Sequence, residues 1–146
     1  MSRISKSTGA VATLAVLALL AAPGGVAAAK TLRASMNGDR EVPKGDSDGR
    51  GTARITTNRA KGKVCFSITL SKVGTVVAGH IHKAGNGKAG PVVVALFAAP
   101  TKQPKGCATG VSKSLIRDIE RHPGRYYVNV HNQAHPEGAV RGQRHA

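Results

Sequence analysis

The chain has no tryptophan, and its 146 residues include only two phenylalanines and two tyrosines. An aromatic core is excluded, so any core must be aliphatic. Acidic residues are also scarce. Seven stand against 22 lysines and arginines, for a formal net charge of +15. Two cysteines, Cys65 and Cys107, are present without C-x-x-C spacing. Thiolate metal ligands would want that tighter spacing. In an oxidising compartment an even count predicts one disulfide instead. Past the first 29 residues there is no second hydrophobic stretch to serve as an anchor.

The N-terminal part has the layout of a secretory leader. Arg3 and Lys6 form a basic start, and Ala10 to Ala22 is an apolar run of 13 residues. A membrane span needs roughly 20. The run Val26-Ala27-Ala28-Ala29 offers an A-x-A cleavage site, and no cysteine stands there for lipid attachment. Residues 1–29 are therefore expected to be a signal peptide. Residues 30–146 are expected to form one exported, soluble domain without a transmembrane segment. The leader takes two of the basic residues and none of the acidic ones, leaving a formal charge of +13. Such a charge attracts anionic partners at long range. For an exported protein these are wall polymers, acidic or sulfated glycans and anionic lipid surfaces rather than nucleic acid. The plainer reading is that the charge keeps a small domain dispersed.

Strand patterning dominates the mature chain. Leu32, Ala34 and Met36 alternate with polar residues, as do Ala53 and Ile55. Val64, Phe66, Ile68 and Leu70 share one face, with Cys65 on the other. Further strands are expected at Thr75–His82, Pro91–Phe97, Tyr126–His131 and Ala139–Gln143. The continuous apolar run of Pro91–Phe97 suggests a strand covered on both faces. Residues 98–110, with two prolines and two glycines, read as a loop that Cys107 would pin. One short helix should carry Leu115, Ile116 and Ile119, capped by Ser112 or Ser114 and ended by Pro123-Gly124. Arg144–Ala146 reads as a frayed tail. Seven short strands with turns between them predict an all-β, antiparallel Greek-key β-sandwich with one short helix.

Two stretches carry the chemistry: Gly79-His80-Ile81-His82 and Tyr127-Val128-Asn129-Val130-His131. On strands, His80 and His82 share a face, and so do Asn129 and His131. Two readings are open. In one, His80, His82 and His131 hold copper or zinc, which suit neutral imidazoles; His135, on the next turn, would be a fourth ligand or a gate. In the other, His80, His82, Asn129 and His131 form a hydrogen-bonded network that fixes strand register without any cofactor. Glu41, Asp46 and Asp48 could make a hydrolase or weak calcium site, but they lack EF-hand spacing and read as a solvated turn. A catalytic hydrolase has no constellation behind it, so no enzyme activity is expected.

Several residues in order resemble the CHRD domain, the unit repeated in chordin. They are Glu41-Val42-Pro43, Gly51-Thr52-Ala53, Gly79–His82, Gly90-Pro91-Val92-Val93, Tyr127–His131 and the closing run from Pro136 to Gln143. The resemblance spans Leu32 to Gln143 and marks a stand-alone secreted member of bacterial type. It implies an immunoglobulin-like or Cu,Zn superoxide dismutase-like sandwich, usually extracellular. The H-x-H strand is similar to the copper-binding strand of those dismutases, but no matching zinc loop follows. Together these observations predict an exported, non-catalytic CHRD domain with affinity for anionic cell-surface polymers or glycans, or alternatively a copper- or zinc-binding protein with a role in oxidative defence.

Overall fold

The structure is a computed structural model that describes residues 28–145. The leader assigned to residues 1–29 lies almost wholly outside the described residues. Eight strands form one antiparallel sheet. In chain order they are β1 (Lys30–Asn37), β2 (Arg50–Asn58), β3 (Lys63–Ser71), β4 (Ala78–Lys83), β5 (Val92–Phe97), β6 (Lys105–Ala108), β7 (Tyr126–His131) and β8 (Val140–Gln143), with helix α1 (Lys113–Arg121) between β6 and β7. Their order across the sheet is β5-β4-β7-β8-β1-β2-β3-β6. The sheet curls almost into a barrel, and Phe66 of β3 stacks on Phe97 of β5 with ring centroids 5.9 Å apart. The fold is thus all-β with one short helix, as the alternation predicts.

The alternation decides what lies inside. Leu32, Ala34 and Met36 of β1 are buried, as are Ala53 and Ile55 of β2 and Val64, Phe66 and Ile68 of β3. Ile81, Val128, Val130 and Val140 come from the other half of the sheet. Burying an aliphatic side chain contributes about 1.5–3 kcal/mol, so this core carries most of the stability. Helix α1 closes one end by adding Ile116 and Ile119. Ser112 caps it, its hydroxyl accepting from the Leu115 N–H. Thr57 inside β2 is buried because its hydroxyl donates to the Glu120 carboxylate at 2.6 Å.

Four expectations need correction. Residues 105–108 form a strand, not loop: β6 pairs with β3, placing Cys107 opposite Cys65, and the two are joined by a disulfide. Pro104 and Gly106 did not prevent this because β6 is the last strand of the sheet, where an unpaired side is tolerated. Strand β5 buries Val94 and Leu96 on one face and leaves Ala95 exposed on the other, so its two faces are not both covered; Val92 is half exposed. The tail is held: Arg144 is buried, its N–H donates to the Tyr126 carbonyl, and His145 bridges to Arg33 through both backbone groups. The solvated turn holds for Asp46 and Asp48 but not for Glu41. Glu41 is buried, Asp46 accepts from the Gly49 N–H, and Asp48 sits 3.8 Å from Lys72.

Candidate metal centre

Strands β4 and β7 are direct neighbours, with His80 opposite Asn129 and His82 opposite Tyr127. The period of two sends Ile81, Val128 and Val130 into the core. His80, His82, Asn129 and His131 are left on the outer side of the sheet. Strand β8 extends that row by placing Arg141 opposite Asn129. The loops around Glu41, Gly85–Gly90 and Pro136–Gly138 fold over it, so that Asn129 and Arg141 are buried although they face away from the core.

The three rings converge. One nitrogen from each of His80, His82 and His131 lies within 4.8 Å of the other two. His135 is not in that group; its N–H donates to Asn132 Oδ1, and its carbonyl accepts from Gly138. Two of the rings have their protonation pattern set by carbonyls, which can only accept. His82 Nδ1–H donates to the Gly90 carbonyl at 2.8 Å, and His131 Nδ1–H donates to the Pro136 carbonyl at 2.9 Å. Each therefore keeps its lone pair on Nε2. The 3.0 Å contact between His80 Nδ1 and His131 Nε2 then requires His80 to donate. His82 Nε2 is buried and makes no hydrogen bond among the described residues.

Burial pushes the His80 pKa down to about 4, with the neighbouring His131 and His82 rings adding to the effect. Burial also lowers that of His82, against the opposing pull of the Gly90 carbonyl. Both rings are neutral at neutral pH and present lone pairs rather than charge.

Three more side chains shape the site in roles that no local sequence pattern announces. Tyr127 lies flat against His82, with centroids 4.7 Å apart and planes 6° from parallel. The Arg141 guanidinium stacks on Tyr127 at 3.4 Å and donates to the Lys88 and Gly85 carbonyls. The loop from Gly85 to Gly90 thus turns carbonyls inward. Glu41 faces Asn129 and Arg141, and burial, only partly offset by them, pushes its carboxyl up to about 7. Glu41 Oε1 and Asn129 Oδ1 make no hydrogen bond among the described residues. Tyr127 beside the second histidine motif, and an arginine following the apolar pair Ala139-Val140, were the signals on offer. Their partners lie on other strands and loops.

A family model of the CHRD domain matches residues 32–144. The chain belongs to the CHRD family. No curated protein and no solved structure matches it. In this CHRD domain the family motifs meet in space. Of the six stretches given above, Glu41 comes from the first, His80 and His82 from the third, Gly90 from the fourth, Asn129 and His131 from the fifth, and Gly138 and Arg141 from the last; only Gly51-Thr52-Ala53 lies apart. Gly138 has φ +144°, and a Cβ there would fall 2.5 Å from the Glu41 carboxyl. Gly45-Asp46-Ser47-Asp48-Gly49 spells the G-x-S-x-G of a nucleophile elbow. It lies in the loop before β2 rather than between a strand and a helix, so that pattern carries no nucleophile role here.

Proposed function

We propose that this CHRD domain is an exported, non-catalytic binding module that holds one copper or zinc ion on His80, His82 and His131. One observation carries the reading: three imidazole nitrogens lie within 4.8 Å, and one of them, His82 Nε2, is buried without a partner. An unsatisfied buried polar atom costs about 1–3 kcal/mol, and a cation is a natural acceptor of that lone pair. Two nitrogens each about 2.0–2.1 Å from one ion sit about 3 Å apart, the spacing between His80 Nδ1 and His131 Nε2; for both to ligate, the His80 proton must move from Nδ1 to Nε2. The Gly90 and Pro136 carbonyls play the outer-ligand role that orients metal-binding histidines. Three protein ligands leave a fourth position for another group. Storage of the ion and oxidative defence are the roles that fit an exported protein. Export itself is supported by the leader pattern and by the disulfide.

Titration of purified mature protein with Cu(II) or Zn(II) tests this reading. One equivalent should bind, and His82→Ala should abolish stoichiometric binding. No binding by the wild type, or equal binding by the variant, overturns it.

A second reading concerns partners, and the charge supports it. With 20 basic residues against seven acidic ones once Arg3 and Lys6 of the leader are set aside, the domain should be drawn to anionic cell-surface polymers or glycans. No helix among the described residues is long and apolar enough to cross a membrane. Retention on an anionic polysaccharide column, lost with added salt, is the expected behaviour.

A further inference from the structure

The outward side of β1, β2, β3 and β6 carries an unusual row. Backbone pairing sets His145 opposite Arg33, Arg33 opposite Arg54, Arg54 opposite Ser67, and Ser67 opposite Lys105. All five are exposed. With neighbouring strands about 4.8 Å apart, the row runs about 19 Å straight across the sheet. The next row is Ser35, Thr52 and Thr69, also exposed. A shallow depression of about 410 Å³ spans both rows. No acidic residue lines it, and among the described residues none of Arg33, Arg54 and Lys105 makes a salt bridge.

Like charges directly opposite on paired strands are destabilising. The Arg33–Arg54 pair therefore costs stability that an anion lying across it would recover. We propose that this face binds a linear anionic polysaccharide, with Arg33, Arg54 and Lys105 meeting its charged groups and the Ser/Thr row meeting its hydroxyls. The placement rests on the general attraction to anionic polymers given above and names the face responsible. Hydroxyls both donate and accept, as sugar hydroxyls require. The face offers no Phe, Tyr or Trp ring on which a nucleic-acid base could stack. It offers no exposed apolar side chain to enter a lipid surface. The rows lie on strands other than those of the histidine cluster, so the two sites are separable.

The test uses immobilised polygalacturonate with the mature protein. Wild type should bind, with neutral dextran as the blank. Arg33→Ser/Arg54→Ser should lower the slope of log affinity against log salt by about two, one per lost cation. Its melting temperature should be unchanged or raised, because the like-charge opposition is gone. Arg117→Ser/Arg121→Ser, on the exposed side of α1, removes the same charge and should leave binding nearly intact. Failure of the wild type to bind overturns the general attraction. Equal loss in both double variants leaves that attraction standing and overturns the face. Binding of poly-dT or of anionic vesicles through the same arginines, as strongly as polygalacturonate, overturns the choice of polymer. His82→Ala should bind the polymer as the wild type does.

Discussion

His82 and Tyr127 face each other across paired strands with their rings 6° from parallel. The Tyr127 hydroxyl also accepts the Gly90 N–H at 3.3 Å, and the Gly90 carbonyl accepts from His82 Nδ1–H. Histidine, glycine and tyrosine thus form a closed loop that fixes which nitrogen of His82 is free. Orientation, rather than the number of imidazoles, is what the neighbours add.

That loop makes Tyr127→Phe informative. The ring stack is kept and only the acceptor for Gly90 is removed. Affinity for Cu(II) or Zn(II) should fall by about 10-fold, the lower end of the cost of losing an outer partner, while the fold is retained. Isothermal titration beside a thermal melt separates the two effects.

The pH dependence of stability should carry two opposing slopes. Glu41 has its pKa raised from 4.5 to about 7. Between those values the folded protein keeps a proton that the unfolded chain has released, so stability falls as pH rises. A shift of that size corresponds to about 3 kcal/mol. His80 is lowered from 6.5 to about 4. Across that window the unfolded chain binds a proton that the folded ring refuses, so stability rises with pH. From pH 6.5 upward only the Glu41 slope remains between these two groups. Urea unfolding of metal-free wild type should weaken from pH 6.5 to 7.5, and Glu41→Gln should remove that limb. A variant that keeps the limb would show that another group causes it.

Cys65 and Cys107 are 42 residues apart in the chain. The chain-entropy model assigns about 4 kcal/mol to closing such a loop. Cys65→Ser/Cys107→Ser should shift the urea midpoint downward by a corresponding amount. Both residues lie at or near the surface, so added reductant should reproduce the shift in the wild type and leave the double variant unmoved.

Gly138→Ala tests the lid over the site. Its φ of +144° is a region that L side chains rarely adopt, and the new methyl would meet the Glu41 carboxyl at 2.5 Å. Loss of about 2 kcal/mol or more is expected from backbone strain and collision together. Glu41→Ala in the same background should relieve part of that loss, a coupling that a double-mutant cycle reads directly.

Period-two alternation determined much of this protein without help from the fold. It set the all-β class, most strand positions, the inward faces of β1, β2 and β3, and the shared face of His80 and His82. Those features are local, since neighbouring side chains on a strand must diverge. The capped helix and the single disulfide were legible in composition and short-range signals as well. Tertiary structure alone decided that β4 would lie beside β7, that Cys107 would stand on a strand, and that Arg33 would face Arg54. It also buried Glu41, which reads as part of a polar turn in sequence, because the loop after β1 folds over Asn129 and Arg141. Pairing and burial of this kind depend on groups far apart in the chain, and no local pattern encodes which distant strand supplies the partner.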